Sequence, residues 1–519
     1  MANTIDIKHV EKIFNTQEFK KWLISKRWFG NKLELVDLKF IIQIEYFKSI
    51  EERILLLIIK IIKQSYSKSY FLPLINYMNV HDILDTIEVD KNTLQNIKDH
   101  IFEGDLKLIE AEYCFFFWKI ILRDIELNEA FKFPENYIFS LHQLGKDNTT
   151  NLLFSIEIKS KESIDKPAIT YVLKSYKSYS ENLEIMKLSI LNENYFQNVP
   201  KILDTIEINE ITVICIMEIV PNIGNIGEIY WNELNDMVNE ISNEEKNIIS
   251  LTNRNRSINL IHKFCVESIK ISTLIGEVIG NLLKGLIKSG NIDFSIEYID
   301  AMDYFSERAK IIGSISSILI KNSNQLGNSY KILHWNKSEL NNNIVGVKKI
   351  VNKLKNEYKE KKIRIQPIHQ DLHMEQILYN KNNGEYMFYI LDLEGDPQLS
   401  IKEKKKKFPI EKDIASFLRA LSYIKLNMLL SIVDKRKNLN LSQISNQSDE
   451  LIQGIQTILN IWEIYFTELI LKNIEVDTTL MHLFTIERIL NEMKYELLYR
   501  PKKIIIPLLG LKEIITQEY

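Results

Sequence analysis

The chain is short of glycine, histidine and cysteine, with 16, 9 and 3 of each among 519 residues. Cys114, Cys215 and Cys265 are odd in number and far apart. That excludes a disulfide-stapled secreted scaffold and fits buried free thiols in a reducing compartment. No Walker-type glycine loop is present, so a P-loop nucleotide site is excluded. The longest apolar run, "ILLLIIKIIK" at 54–63, carries Lys60 and is half the roughly 20 residues needed to cross a bilayer. "MANTIDIKHVEKIF" has no basic segment leading into an apolar one, so a secretory signal is not expected. Net charge is almost absent, with 66 basic against 69 acidic residues and a formal −3 at pH 7. A general attraction to nucleic acid or to an anionic membrane would need a basic patch or stripe, and is excluded. A cytoplasmic protein with only local phosphate contacts is expected.

Material for burial is plentiful: 45% of residues are hydrophobic, 10% aromatic and 26% charged, the profile of a globular protein. A chain of 519 residues exceeds the roughly 250–300 at which single cores stop growing, so two or three domains are expected.

Three regions follow from hydrophobic period. Residues 16–29 place Phe19, Trp22, Leu23 and Trp28 at helical spacing, and "GNK" breaks the pattern. Three Ile-, Phe- and Tyr-rich runs after it read as antiparallel strands, so 1–95 is expected to be a small α+β cap. From 96 to about 130 helical spacing returns, predicting a bridging segment. "YIFSLHQLG", "NLLFSIEIKS", "AITYVLKSYK", "KILDTIEI" and "ITVICIMEIV" then predict a five-stranded sheet. It is interrupted by one amphipathic helix opened by Ser180 and ends near Pro221. The bridge and sheet make a second region, 96–221. From 222 to 519 the pattern is helical, broken by polar segments that read as loops. The fold expected is α+β: a β-rich lobe and a large helical lobe, the order of a bilobal phosphotransferase, preceded by a cap.

The chemistry gathers at "IQPIHQDLHMEQILYN" and "EYMFYILDLEGDPQL". Phosphoryl transfer asks little covalent chemistry of a protein. It needs metal on the phosphates, a base at the attacking hydroxyl and a cation on the nucleotide. His369-Gln370-Asp371 with Gln376 has the form H-x-D-x4-(N/Q), so Asp371 is a candidate base and Gln376 a candidate Mg²⁺ ligand. A hairpin would bring Asp392, at the end of an apolar run, back to the same metal. An acid placed there costs several kcal/mol unless paired or metal-bound. Without that second cluster, Asp371 reads as a loop acid and His369 as a core histidine.

The nucleotide side has its own candidates. Lys174 lies inside a strand, where a lysine contacting α- and β-phosphates is expected, and Glu184 in the next helix is placed to pair with it. The alternative for Lys174 is exposed decoration. The loop "LGKDNTTN" offers Asn148, Thr149 and Thr150 to phosphate oxygens, or is a plain hairpin turn. "MEIVPNIG" reads as an interlobe linker whose backbone at Glu218, Ile219 and Val220 is a candidate adenine-binding hinge.

Together these motifs resemble the maltokinases, sugar kinases related to the aminoglycoside phosphotransferases. The catalytic loop H-G-D-L-H-x-G-Q of that family is matched by His369, Asp371, Leu372, His373 and Gln376. Its D-F-E-G-E-P is matched by "DLEGDP", and its R-D-V-A-x-x-L-R-S-F-D-Y by Asp413, Ala415, Leu418, Arg419 and Tyr423. "WLISKRWFGNK" is similar to the opening of the family's cap, and "LNEMKYELLYRPKKIIIPLLG" to its closing segment. The resemblance covers nearly the whole chain. It implies a protein-kinase-like fold and ATP- and Mg²⁺-dependent phosphorylation of the anomeric hydroxyl of maltose, giving maltose 1-phosphate for α-glucan and trehalose metabolism. It also implies a link to an enzyme that supplies maltose or uses the product.

The resemblance further implies Asp371 as base, Gln376 and Asp392 on Mg²⁺ with Glu394 assisting, and Lys174 with Glu184 on the phosphates. His373, Tyr495 and Arg500 would line the sugar pocket; the alternative for the last two is to lock the final helix in place. His369, Asp413 and Arg419 are expected to support the loop, and Trp22, Arg27 and Trp28 to belong to the cap core. The sequence departs from the family at Gln370, which stands for the loop glycine, and at Glu375, which stands for a small residue. Lys502 and Lys503 lie where the family has a nearby tryptophan. The basic run Lys404 to Lys407 reads as a solvated loop. The rival readings are a kinase of glucosamine, an aminoglycoside or another small hydroxyl substrate, and a non-catalytic binding protein.

Overall fold

The structure is a computed structural model. It describes residues 6–30, 32–64, 66–77, 98–123, 125, 129–132, 136–144, 151–162, 167–243, 254–322, 337–396, 399–435, 450–500 and 503–518. Two compact units are present, one of Met1–Ser189 with Pro200–Val220, the other of Ile190–Val199 with Pro221–Tyr519.

In the first unit, α1 (Ile7–Phe14) and α2 (Gln17–Ser25) are capped by Asp6 and Thr16, whose side chains accept the N–H of Lys8 and Phe19. Each side chain satisfies a donor that a helix start leaves orphaned. A six-stranded antiparallel sheet follows, built from β1 (Ile41–Ile50), β2 (Ile54–Lys63), β3 (Tyr66–Phe71), β4 (Leu74–Asn76), β5 (Ile101–Glu103) and β6 (Lys107–Glu110). β2 pairs with β1, β3 and β4. That central position explains the long apolar run, because a strand buried on both faces has no need to alternate. β5 and β6 correct the helical expectation for 96–130. Among the described residues there, only α3 (Phe115–Arg123) and shorter turns are helical, and strands of three or four residues are too short to show a period of two. The β4–β6 pairing, not a local signal, holds them extended.

The second sheet has the order β10-β11-β9-β8-β7, with β7 (Tyr137–Leu144), β8 (Leu152–Ser160), β9 (Ile169–Ser175), β10 (Ile202–Ile208) and β11 (Ile211–Glu218). These are the five strands expected, with α4 (Leu183–Glu193) between the third and fourth. The residue that caps α4 is Asn182, whose side chain accepts the N–H of Glu184 at 3.0 Å, and not Ser180. One core runs from Val10 through Trp118 to Ile216 and serves both sheets. Cys114 and Cys215 are buried free thiols there, as Cys265 is in the second unit.

The second unit holds α5 (Ile226–Asn243), α6 (Arg254–Phe264), α7 (Val266–Gly285), α8 (Ala301–Lys321), α9 (Lys337–Glu357), α10 (Glu411–Lys435), α11 (Glu450–Leu471), α12 (Thr478–Tyr499) and α13 (Ile505–Glu518). Two small sheets interrupt them: β12 (Gly224–Asn225) with β15 (Ile377–Asn382) and β16 (Glu385–Ile390), and β13 (Glu297–Asp300) with β14 (Lys362–Ile365). At Gly276 an added Cβ would lie 2.1 Å from the Ile470 carbonyl oxygen, so the contact between α7 and α11 requires glycine. The polar segment expected as a loop at 242–257 is helical from Arg254, and most of the one at 437–451 lies outside the described residues. Among the described residues, no helix is long and apolar enough to cross a membrane.

Candidate functional site

Leaving β14, the chain enters the loop that carries His369 and Asp371. His369 is fully buried. Its backbone N–H donates to Asp413 Oδ2 (2.6 Å), and that of Gln370 to Asp413 Oδ1 (2.7 Å). Asp413 lies in the first turn of α10, where a carboxylate also meets the positive end of the helix dipole. The Asp371 N–H points at His369 Nδ1 (3.4 Å), so Nε2 carries the ring proton and donates to the Leu391 carbonyl (2.9 Å). One imidazole thereby ties the loop to the end of β16.

Gln370 stands with φ +78°, in the left-handed region that favours glycine. Its side chain offsets that cost by donating to the carbonyls of Lys404 (2.6 Å) and Lys406 (3.0 Å). The basic run is therefore not simply a solvated loop. Its backbone braces Gln370, and the largely buried Lys407 side chain bonds Glu297 and Ser295.

Asp371 is 19% exposed, and Arg488 Nη1 of α12 approaches its Oδ1 at 3.1 Å. Burial pushes its carboxyl up to about 6, against Arg488, with Asp396 and Asp392 adding to the rise. For His373, burial and then the Arg488 charge push the imidazole down to about 4, so it is neutral at pH 7. Sequence alone does not single out Arg488, because mid-helix arginines usually face solvent and the closing segment that resembles the family begins at Leu490. A signal existed in Arg488, Glu492 and Glu496, spaced by four on one helix face. That face forms a polar seam: Arg419 Nε donates to Glu492 (3.0 Å), and the Tyr423 hydroxyl to Glu496 (3.4 Å). Arg419 also packs on Gly510, where a Cβ would come within 2.8 Å of its guanidinium.

β15 and β16 form a hairpin with Asn383 (φ +51°) and Gly384 (φ +87°) at its turn, the Asn-Gly pair that such tight turns favour. The register brings Gln376, just before β15, to Asp392, just after β16. Gln376 Nε2 donates to Asp392 Oδ2 at 3.1 Å. Asp392 also has positive φ (+61°), and Glu394 is half-buried two residues on. Among the described residues, no three His, Cys, Asp or Glu side chains are grouped to hold a metal alone. One carboxylate and one amide carbonyl do suit Mg²⁺, which keeps waters and takes the rest of its shell from phosphate oxygens.

Tyr495 and Arg500 lie together at the end of α12. The Arg500 guanidinium sits 5.0 Å over the Tyr495 ring and bonds Glu496 one turn back at 2.7 Å, with the Arg500 side chain 49% exposed. Glu375 and Lys503 are exposed.

In the first unit, Lys174 Nζ meets Glu184 Oε2 at 2.6 Å with both side chains buried, and the Tyr176 hydroxyl donates to the same oxygen at 2.8 Å. Lys174 is thus no surface decoration. The Glu218 N–H donates to the Lys201 carbonyl at 3.0 Å, so that donor is already committed, while Ile219 is exposed. Asn148, Thr149 and Thr150 lie outside the described residues. Trp28 is buried, its indole donating to Glu110 at 2.7 Å.

No family model matches the chain, and no curated protein matches it. Among solved structures it is similar to a glucosamine kinase in complex with glucosamine, ADP and inorganic phosphate. The identity is 11%, the TM-score 0.48, and 96% of this chain and 99% of that one are covered. A thermostable mutant of an aminoglycoside phosphotransferase matches at 10% identity and TM-score 0.37, over 75% and 97% of the two chains. An ethanolamine kinase of Plasmodium vivax matches at 12% and 0.34, over 82% and 94%. At these identities and scores the likeness assigns neither substrate nor residue roles.

Proposed function

We propose that this chain is an ATP-dependent kinase of a sugar hydroxyl. Maltose, phosphorylated at its anomeric hydroxyl to maltose 1-phosphate, is the acceptor that the sequence resemblance favours. The observation that carries the kinase reading is the junction of loop and hairpin: Gln376 against Asp392 at 3.1 Å, with Asp371 close enough for the Asp392 charge to raise its proton affinity. A base, a metal ligand set and a braced loop in one place are what phosphoryl transfer asks of a protein.

In this reading, Asp371 receives the acceptor's hydroxyl proton while the acceptor oxygen bonds to the γ-phosphorus. The bond from that phosphorus to the β-phosphate oxygen breaks, and its electron pair leaves with ADP. A carboxyl titrating near 6 is ionised at pH 7 yet still a useful proton acceptor. Asp392 and the Gln376 carbonyl, with Glu394 assisting, would hold Mg²⁺, which offsets phosphate charge. Lys174, oriented by Glu184, contacts the α- and β-phosphates, and Asn148, Thr149 and Thr150 contact phosphate oxygens. The backbone at Ile219 and Val220, beside the committed Glu218 donor, takes the adenine edge, while His373, Tyr495 and Arg500 face the sugar.

The test is a coupled ATP-turnover screen against maltose, glucose, glucosamine, trehalose and an aminoglycoside, with the phosphorylated position read by NMR. Maltose turnover at C1 supports the full reading. Turnover only with another acceptor moves the substrate, and no turnover with any of them favours a non-catalytic binding protein.

A further inference from the structure

We infer that Arg488 selects the acceptor: its guanidinium, set against Asp371, makes this pocket one for neutral polyhydroxyl ligands and turns away acceptors bearing an ammonium group. The inference rests on the kinase reading, because it takes Asp371 as the group that meets the reacting hydroxyl.

Arg488 Nη1 lies 3.1 Å from Asp371 Oδ1, and its Nε is 3.5 Å from Glu492, too long and oblique for a hydrogen bond. Nη2 makes no hydrogen bond to any described residue, and the side chain keeps 29% exposure. The fork therefore has N–H groups to spare beside the carboxylate where a hydroxyl must bind. A sugar oxygen can accept them, and an ammonium cannot, since it has donors only.

Asp371, Asp392 and Asp396 place acidic charge around the same site, so the discrimination is a local one, set by which atom beside the reacting hydroxyl meets the Arg488 fork. A hydroxyl hydrogen-bonded to Asp371 brings its neighbouring ring carbon within a few ångströms of Arg488, so an amine there meets a fixed cation in a half-buried site. Of the carboxylates that act on Arg488, Asp371 is also the partner of the reacting hydroxyl, Asp396 acts through its charge, and Glu492 is shared with Arg419, whose Nε bonds it at 3.0 Å. His373 adds a neutral ring that can donate to one sugar oxygen or accept from another.

Glucose and glucosamine test this, since they differ by one hydroxyl exchanged for an ammonium. The full-length protein is assayed for kcat/KM on both, and calorimetry measures the binding of each. Wild type should prefer glucose by about 10- to 100-fold, as expected for one like-charge contact at intermediate dielectric. Arg488→Gln should bring the ratio close to one, and Arg488→Lys should retain most of it. Wild-type preference for glucosamine would overturn the inference. So would an Arg488→Gln that weakens both sugars equally, because Arg488 would then be only a counter-ion for Asp371. If no acceptor is phosphorylated, the kinase reading fails, but calorimetry still reads the preference; binding of neither sugar overturns the inference as well.

Discussion

Lys177 is fully buried, with its ammonium 2.5 Å from Glu112 Oε1, equally buried, and 4.7 Å over the Trp28 ring. The Ser175 hydroxyl donates to the same carboxylate oxygen at 2.9 Å, and Glu112 Oε2 has no hydrogen-bond partner among the described residues. Removing one member of such a pair leaves a buried charge alone, which costs on the order of 3–5 kcal/mol, whereas removing both can be nearly neutral. Lys177→Met should lower stability by about that amount, and Lys177→Met with Glu112→Leu should recover most of the loss. Urea unfolding followed by tryptophan fluorescence reads both. A single variant as stable as wild type would mean that water reaches the pair.

Gln370 gives a cleaner comparison. Replacing it by alanine or by glycine removes the same two bonds to the carbonyls of Lys404 and Lys406, but only glycine tolerates φ +78° without a Cβ penalty. Gln370→Gly should therefore be more stable than Gln370→Ala by about 1 kcal/mol. Denaturant midpoints of the two variants decide it, and alanine as the better substitute would show that the loop relaxes out of the left-handed conformation.

These two cases show where sequence reasoning stops. The five strands from Tyr137 to Glu218, each an apolar run closed by a turn, are legible because their signals are local. The Lys174–Glu184 contact is legible because a strand lysine and a following helix place the two side chains on neighbouring elements. The pairing of Lys177 with Glu112 joins residues 65 apart, and that of Arg488 with Asp371 residues 117 apart. The four-residue spacing of Arg488, Glu492 and Glu496 marks a polar helix face but does not name Asp371 as its partner, and Lys177 leaves no periodic trace, since a charged residue in a buried pair looks in sequence like one in solvent. β5 and β6 fail for a related reason, being extended only through their partner strand.

Lys174→Met should weaken ATP binding at least tenfold, if its ammonium neutralises phosphate charge as proposed. Glu184→Gln should have a smaller effect on affinity, because an amide can still hold the Tyr176 hydroxyl and keep the strand in place. Calorimetry with ATP and Mg²⁺ measures both variants. ATP affinity unchanged in Lys174→Met would confine that lysine to a structural ion pair.

The pH dependence follows from Asp371. Its carboxyl titrates at about 6, above the ordinary range, through burial and through the charges of Asp396 and Asp392, with Arg488 pulling the other way. The base must be ionised to accept a proton, so kcat should be flat above this value and fall about tenfold per pH unit below it. Mg²⁺ at Asp392 would cancel one raising charge, so the limb should lie no higher than about 6 in the metal-loaded enzyme. Arg488→Gln deletes the cation that favours the ionised form and should move the limb to higher pH. His373 contributes no limb near neutrality, because its ring already loses its proton near 4. Profiles of kcat for wild type, Arg488→Gln and His373→Asn separate the groups. A limb that stays in place in Arg488→Gln, or disappears with His373, would assign the titration to a group other than Asp371.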